Sequence, residues 1–274
     1  MLTLGPLEIA APAVMGILNV TPDSFSDGGH FDNLNIAIRQ AATMAEEGAF
    51  LIDIGGESTR PGAASVPEQE ELDRVIPVVE AVRSITDVAI SVDTSKAVVM
   101  REAIAAGACM INDVAALRGD GAMQAAADLG VPVCLMHMQG KPRTMQERPH
   151  YDDVVAEVAA FLDERIGACV EVGVAEDMII VDPGFGFGKT HVHNVELLAN
   201  LRQLRVRERP VLVGVSRKST LGKLTDREVH ERMPASVAAA VMAVVNGAFI
   251  IRAHDVQATV DALKVARAII EASE

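Results

Sequence analysis

Residues 89–112 read AISVDTSKAVVMREAIAAGACMIN and contain one strand–helix–strand unit. The segment opens with a short apolar run that ends at Asp93 and continues through an alanine-rich helical stretch at 95–106. Gly107 then precedes the next apolar run at 109–111. Because glycine readily adopts the left-handed backbone that ends many helices, the segment predicts a strand, a helix and a second strand.

The same arrangement recurs along the whole chain. Continuous apolar runs, as expected of strands covered on both faces, lie at 14–18, 50–54, 89–92, 109–111, 133–136, 178–181, 211–215 and 249–251. Helical patterns lie between them, for example at 33–47, 67–85, 95–106, 151–172 and 235–245. The sequence therefore predicts an α/β fold, a single-domain (β/α)8 TIM barrel over residues 1–274 with long loops after the first two strands. An open doubly wound sheet is the alternative.

Polar residues at the strand ends favour the barrel over the open sheet. An open sheet gathers functional groups at one switch point, whereas a closed barrel collects them from all eight strands. In this sequence a polar or charged residue follows nearly every predicted strand. These residues are Asn19, Asp53, Asp93, Asn112, His137, Asp182, Ser216 with Lys218, and Arg252 with His254.

Composition limits the class of protein. The chain has 274 residues, half of them hydrophobic, and a net charge of 24 − 38 = −14, which argues against disorder and against a nucleic-acid partner. The longest clean apolar run, 237–245, is shorter than the roughly 20 residues of a membrane-spanning helix. The first eleven residues include Glu8 and no basic residue, so we expect a cytoplasmic protein without a secretory signal. Three separated cysteines indicate neither a disulfide nor a zinc site.

The three aspartates at strand ends indicate a flat ligand rich in hydrogen-bond donors. Asp53, Asp93 and Asp182 each follow an apolar run, and Asn112 and Asn19 accompany them. Each aspartate could simply cap the next helix. A ring of acceptors, however, suits a heterocycle such as an aminopyrimidinone, because a carboxylate accepts two hydrogen bonds from a planar edge.

A set of basic residues indicates an anion site, because two basic pairs among them follow the last two predicted strands. Phosphate groups often bind after strands seven and eight of such barrels. Solvated surface charges are the alternative interpretation. Glycine-rich loops at 19–29 and 55–62 could cover the barrel mouth, or could be ordinary surface loops. The basic residues are Arg60, Arg217, Lys218, Arg252 and His254.

Two apparent motifs are rejected. GFGFGKT at 184–190 has three residues rather than four between its outer glycines and is not a P-loop. His191 and His193 are expected in a loop and have no acidic partner at zinc-site spacing.

The motifs taken together resemble the dihydropteroate synthases of folate biosynthesis. The segments are MGILNVTPDSFSDGG at 15–29, DIGGESTRPG at 53–62, SVDT at 91–94, IND at 111–113, LMHMQG at 135–140, DPGFGFGK at 182–189, GVSRKS at 214–219 and RAHD at 252–255. The resemblance extends over nearly the whole chain. Only 114–119 departs enough that we assign it no role.

The resemblance implies a condensation of 6-hydroxymethyl-7,8-dihydropterin diphosphate with 4-aminobenzoate, which gives 7,8-dihydropteroate and diphosphate. It further implies Mg²⁺, a homodimer and competition by sulfonamides. Asn19, Asp93, Lys218 and Arg252 would act in catalysis, with Asn19 as the Mg²⁺ ligand. By the resemblance, the pterin edge would be bound by Asp93, Asn112 and Asp182, supported by Asp53, the faces of the pterin ring by Met136 and Phe187, and both substrates by Lys218. The diphosphate would be bound by Thr59, Arg60, Arg252 and His254. The 4-aminobenzoate would be bound by Phe25, Pro61 and Ser216, and Ala253 would contribute through its backbone.

The implied chemistry needs no nucleophilic side chain. Mg²⁺ and arginine would favour departure of diphosphate, and Asp93 would stabilise the resulting cation. Three alternatives remain: a pterin-binding methyltransferase that acts with a corrinoid partner, a catalytically silent pterin-binding relative, and a purely structural barrel. The 59–61 loop and the pair Ser216 and Lys218 argue against the first. The presence of Asn19, Phe25, Arg60 and Lys218 argues against the second. A purely structural barrel would leave the polar strand ends unexplained.

Overall fold

The chain folds into a barrel of parallel strands surrounded by helices and preceded by a short hairpin. A computed structural model describes residues 2–4, 7–9, 12–21, 30–60 and 62–272. The strands are β1 (Leu2–Leu4), β2 (Leu7–Ile9), β3 (Ala13–Asn19), β4 (Leu51–Gly55), β5 (Ala89–Asp93), β6 (Met110–Asp113), β7 (Val133–Met136), β8 (Ile179–Asp182), β9 (Leu212–Val213) and β10 (Ile250–Ala253). The helices are α1 (His30–Glu46), α2 (Glu68–Ile85), α3 (Ala97–Ala105), α4 (Ala122–Leu129), α5 (Val154–Glu171), α6 (His191–Ala199), α7 (Ser219–Thr225), α8 (Met233–Val245) and α9 (Val256–Glu271).

The parallel sheet closes on itself. Strands β3 to β8 lie side by side in chain order, and β10 pairs with both β3 and β9. The remaining gap is bridged by Val181 and Val211, where the Val181 amide donates to the Pro210 carbonyl at 3.0 Å. The barrel prediction is confirmed, and the open-sheet alternative is wrong.

The helices end largely where the glycines predict. Gly107 after α3 and Gly130 after α4 have positive φ angles of 115° and 61°. The expectation that His191 and His193 lie in a loop is wrong, because both belong to the first turn of α6. Thr190 caps that helix by accepting a hydrogen bond from the His193 amide at 3.2 Å.

Two apolar layers flank the barrel wall. Side chains that point outward from the strands pack against the helices, while alternate side chains fill the lower part of the barrel interior. Leu7 and Ile9 of β2 pack against that lower layer and close its bottom. The inward-pointing apolar layer comprises Met15, Leu51, Met110, Cys134, Ile180, Leu212 and Ile250.

Candidate active site

The functional side chains form the next layer up in the barrel interior. Because side chains alternate along a strand, the residue two positions after an inward-pointing one also points inward. Starting from the apolar lower layer, this step reaches a polar residue on most strands. The resulting layer contains Asp53 on β4, Asn112 on β6, Met136 on β7, Asp182 on β8 and Arg252 on β10, with Asp93 at the end of β5.

Arg252 ties two of the carboxylates together. Its Nε donates to Oδ2 of Asp53 at 2.6 Å, and its Nη2 donates to Oδ2 of Asp93 at 2.9 Å. Asn112 donates from Nδ2 to the same Asp53 oxygen at 2.9 Å. The amide orientation of Asn112 is therefore set by Asp53, which leaves the Asn112 carbonyl oxygen to accept a bond from a ligand.

The single positive charge of Arg252 is paired with two buried carboxylates, Asp53 and Asp93. This excess of negative charge affects the protonation of the carboxylates. The pKa of Asp93 is raised to about 7, mainly by burial. The Arg252 charge acts in the opposite direction, and the Asp53 charge adds to the increase. Burial alone would lower the pKa of Arg252, but Asp53 and Asp93 outweigh it and raise that pKa. Arg252 therefore stays charged, whereas Asp93 exchanges its proton near neutral pH.

Two buried oxygens of this network lack a hydrogen-bond partner among the described residues. They are Oδ1 of Asp53 and Oγ of Ser91, which lie on paired positions of neighbouring strands. A buried polar atom without a partner is costly. Ser91 was not predicted, although its place two residues before Asp93 makes it the inward-pointing residue below it.

Asp182 anchors the segment 182–190, which we call the aromatic loop. Its Oδ1 accepts a hydrogen bond from the Gly184 amide at 2.6 Å. Burial raises the pKa of Asp182, and Lys218 together with the Gly184 amide works in the opposite direction. Its second carboxylate oxygen accepts no hydrogen bond from the described residues and can accept one from a ligand.

Lys218 lies against the aromatic loop. Its ammonium group donates to the Phe185 carbonyl and stands 4.8 Å from the centre of the Phe187 ring. Burial lowers the pKa of Lys218 to about 8, although Asp182 favours the charged form. The structure thus brings together three of the predicted site residues, Lys218, Phe187 and Asp182.

A methionine cluster forms an apolar surface beside these groups. Met136 is buried together with Met138 and Met145, and Phe187 packs against them. Methionine and phenylalanine present soft apolar surface that suits the face of a flat ring. The predicted pair Met136 and Phe187 therefore lies together.

The basic residues after the last two strands differ in charge state and in partner. Ser216 Oγ lies 3.0 Å from Nδ1 of His254 and accepts from the His254 amide. Burial lowers the pKa of His254 to about 4, and Arg252 and Arg217 add to this effect. The low pKa favours the neutral form of His254, and its role as a diphosphate ligand stays a prediction. Arg217 donates from Nε to Asp255 at 3.0 Å and is occupied by that ion pair.

The remaining predicted residues lie around the barrel mouth or away from it. Asn19 ends β3 opposite Gly55, half-buried. Thr59 is half-buried and Arg60 is exposed, and the Arg60 charge reaches His254. The Ala253 side chain packs in the outer apolar core, so only its backbone could contact a ligand. Phe25 and Pro61 lie outside the described residues.

Lys189 within the aromatic loop and His137 just after β7 are both buried. The sequence analysis named His137 only among the polar strand ends and gave Lys189 no role in the site. The Lys189 ammonium lies 2.8 Å from Nδ1 of His137 and is 3% exposed. The prediction that 184–190 is not a P-loop agrees with this position, because Lys189 is turned into the protein. The signal that could have found Lys189 is a charged residue directly after a glycine-rich segment.

A second unpredicted cluster holds the start of the 55–62 loop. Lys96 donates to carboxylates of both Glu57 and Glu71, and Glu71 is buried on α2. Arg74 donates to the Gly56 carbonyl at 2.8 Å. The loop that carries Thr59 and Arg60 is therefore anchored at its first residues.

Within the described ranges, no group of three His, Cys, Asp or Glu side chains is placed to hold a metal ion. Asn19 offers a single amide oxygen. Because Mg²⁺ prefers oxygen ligands and often binds through substrate phosphates and water, one protein oxygen fits an ion that arrives with a diphosphate. In the same part of the chain, no helix is both long enough and apolar enough to cross a membrane.

Comparisons with known sequences agree with this geometry. The model of the family described as "Pterin binding enzyme" matches residues 15–254. The dihydropteroate synthase of Escherichia coli strain K12 is 54% identical over 268 residues, which cover 98% of this chain and 95% of the relative. The dihydropteroate synthase of Haemophilus influenzae is 54% identical and covers 97% of each chain.

Solved structures of similar sequence share the fold. Yersinia pestis dihydropteroate synthase in complex with a sulfonamide drug has a TM-score of 0.94 and 54% identity over 98% of this chain and 99% of that one. The Xanthomonas albilineans enzyme with 4-aminobenzoic acid has a TM-score of 0.90 and 56% identity over 94% and 93%. The same enzyme in complex with 7,8-dihydropteroate has a TM-score of 0.87 and 52% identity over 96% and 95%.

Proposed function

This chain belongs to the pterin binding enzyme family and, within it, to the dihydropteroate synthases, and we propose that it condenses 6-hydroxymethyl-7,8-dihydropterin diphosphate with 4-aminobenzoate. The products are 7,8-dihydropteroate and diphosphate. The relatives with bound 4-aminobenzoic acid and bound 7,8-dihydropteroate support these substrates. The proposal depends mainly on one observation: the upper end of the barrel combines hydrogen-bond acceptors with two half-buried cations, Arg252 and Lys218.

The acceptors suit the polar edge of a pterin. Asp182 has a free carboxylate oxygen, and the Asn112 carbonyl oxygen is directed away from Asp53 by the bond that Asp53 accepts. The N–H groups of an aminopyrimidinone edge are donors that match such acceptors. Met136 and Phe187 supply apolar contact for the ring faces.

The diphosphate would bind where the cations lie. Arg252 is charged, and Arg60 lies near His254 on the same side of the barrel mouth. A bound diphosphate would favour protonation of His254, whose pKa is low without an anion. Asn19 would hold Mg²⁺, which when bound neutralises charge on the departing diphosphate.

The proposed reaction exchanges one bond for another at the pterin methylene carbon. The bond from that carbon to the diphosphate oxygen breaks and leaves positive charge on the carbon and the conjugated dihydropterin. Ionised Asp93 stabilises this charge. The amine of 4-aminobenzoate then forms the new carbon–nitrogen bond, and its proton passes to the released diphosphate or to solvent. Ser216 would contact the carboxylate of 4-aminobenzoate, and the roles of Thr59, Phe25 and Pro61 stay predictions.

We also propose a homodimer in the cytoplasm. Exposed apolar side chains on the adjacent helices α8 and α9 support the dimer, since Val265 is 61% and Ile269 65% exposed. Met242 and Val245 of α8 are exposed as well. Light scattering of the purified chain would measure twice the mass of one chain if the proposal is right.

The test of the function is product formation. The chain is incubated with the pterin diphosphate, 4-aminobenzoate and Mg²⁺, and dihydropteroate is detected by mass spectrometry. We expect product that depends on all three additions and is reduced by EDTA. Pterin binding without product would instead indicate a silent relative, and product without Mg²⁺ would remove the metal from the proposal.

A further inference from the structure

The aromatic loop is held in place by side chains from other segments. Asn194 of α6 accepts from the Gly186 amide at 2.8 Å, and the Tyr151 hydroxyl donates to the Gly188 carbonyl at 2.9 Å. Gly184, with φ of 69°, lies so close to β7 that a Cβ atom there would stand 1.8 Å from the His137 carbonyl oxygen. The loop thus has a single tightly fitted position on the barrel.

Lys189 closes the same loop from inside. Its ammonium donates to the Gly184 carbonyl at 3.0 Å and to the Phe187 carbonyl at 3.1 Å. His137 supplies two further partners, its Nδ1 at 2.8 Å and its carbonyl oxygen at 3.4 Å. An ammonium group has three protons, and each finds an acceptor here, which offsets the cost of burying the charge.

His137 must be neutral for this arrangement. Burial lowers the pKa of His137 to about 3, and Lys189 adds to that effect. A neutral imidazole accepts at one ring nitrogen, so Nδ1 accepts a hydrogen bond from the Lys189 ammonium in the tautomer that carries its hydrogen on Nε2. Burial lowers the pKa of Lys189 itself to about 7, and Lys218 adds to this effect, whereas Asp182 favours the charged form.

The two carbonyls that Lys189 binds flank the group that holds Lys218. Gly184 and Phe187 lie on either side of Phe185, whose carbonyl accepts from the Lys218 ammonium. The Phe187 ring also faces that ammonium, at 4.8 Å. A shift of either carbonyl would therefore move both partners of Lys218.

We propose that Lys189 is a positioning residue of the active site: by binding the Gly184 and Phe187 carbonyls it fixes the loop that holds the Lys218 ammonium and presents Phe187 to the pterin. Lys189 does not touch substrate in this arrangement. The proposal relies on the proposed function for the identity of the ligand.

A double-mutant cycle tests whether Lys189 acts through Lys218. The dissociation constant of 6-hydroxymethylpterin is measured by calorimetry for the wild type, Lys189→Met, Lys218→Met and the double variant. Lys223→Met is the matched control, because Lys223 is an exposed lysine of the neighbouring helix α7. Lys189→Arg keeps the charge and the donors.

We expect Lys189→Met to weaken pterin binding by about tenfold in the wild-type background, which is the usual effect of losing a charged hydrogen bond. When Lys218 is already methionine, we expect Lys189→Met to weaken binding by less than about threefold. Lys189→Arg should retain more affinity than Lys189→Met, and Lys223→Met should bind as the wild type does. An equal loss in both backgrounds, or no loss at all, would overturn the proposal.

Tyr151 supplies a readout that does not depend on any ligand. It is the one tyrosine of a chain without tryptophan, and its hydroxyl binds the loop directly. Its fluorescence should change in Lys189→Met and not in Lys223→Met; an unchanged spectrum in Lys189→Met contradicts a loop fixed by Lys189.

If the wild type binds no pterin, the proposed function fails while this readout still tests the loop. If Lys189→Met does not fold, His137→Leu, which removes one acceptor, replaces it in the cycle.

Discussion

Arg252 is the residue on which the charge balance of the site depends. Its guanidinium group is the partner of Asp53, which is fully buried, and of Asp93. Removal of one member of a buried ion pair leaves uncompensated charge, which costs far more than an exposed pair contributes. The same residue is the proposed diphosphate ligand, so its contributions to stability and to binding have to be separated.

We expect Arg252→Ala to lower the free energy of unfolding by about 3–5 kcal/mol, because two carboxylates lose their partner. Adding Asp93→Asn should recover part of this loss. Chemical denaturation of both variants measures the effect. A double variant no more stable than Arg252→Ala would show that the lost ion pairs are not the cause. Arg252→Ala should also weaken the diphosphate substrate far more than the bare hydroxymethylpterin.

Asp182→Asn tests recognition of the pterin edge. An asparagine oxygen can still accept from the Gly184 amide, but one acceptor of the carboxylate becomes a donor. We expect pterin affinity to fall by about 2–4 kcal/mol in calorimetry. Asp177→Asn, at an exposed position, is the control. Unchanged affinity in Asp182→Asn would remove Asp182 from the binding site.

The activity should depend on the ionisation of Asp93. Its pKa is raised to about 7, so the carboxyl group is neutral below that pH and negative above it. Only the negative form stabilises positive charge on the pterin, and we therefore expect kcat/KM to rise with pH up to about 7. Lys218, with a pKa lowered to about 8, should produce a decline above that pH. An Asp93→Asn variant that kept the same acidic limb would contradict the assignment.

At the scale of elements, the strands were predictable because each is buried on both faces. Such strands read as short continuous apolar runs, and all eight predicted runs overlap the observed barrel strands. The aspartates and Asn112 were predictable because they follow these runs. The hairpin of β1 and β2 was not predicted, since strands of three residues carry too little pattern.

The missed residues have partners that are distant in sequence. Lys189 meets His137, 52 positions away, and Lys96 meets Glu57, 39 positions away. No periodicity within one element indicates such contacts, because they arise only when neighbouring strand ends come together. The neutral state of His254 is likewise a consequence of burial, which its position after β10 does not reveal.

The hairpin is expected to stabilise the barrel from below. Ile9 is fully buried against the lower interior layer, whereas Glu8 on the same strand is exposed. We expect Ile9→Ala to lower the free energy of unfolding by about 2–5 kcal/mol, the usual cost of truncating a buried large side chain. Glu8→Ala should change it little. If Ile9→Ala were as stable as the wild type in thermal or chemical denaturation, the hairpin would not close the core.

For the whole molecule, the barrel divides into a lower part that is apolar and closed and an upper part that is polar. Asp53 and Arg252, which are 199 positions apart in the chain, meet only because the sheet closes. The lower layer therefore supplies stability, and the upper layer supplies the binding groups. This division is why acceptors and cations from β4 to β10 can face one small ligand.

The most direct test is a crystal structure of this chain with 6-hydroxymethyl-7,8-dihydropterin. We expect the pterin ring inside the upper end of the barrel, with its N–H edge within about 3 Å of the Asp182 carboxylate and the Asn112 carbonyl oxygen, and with a face against Met136. A ring bound outside the barrel, or inside it without contact to Asp182 and Asn112, would contradict the account.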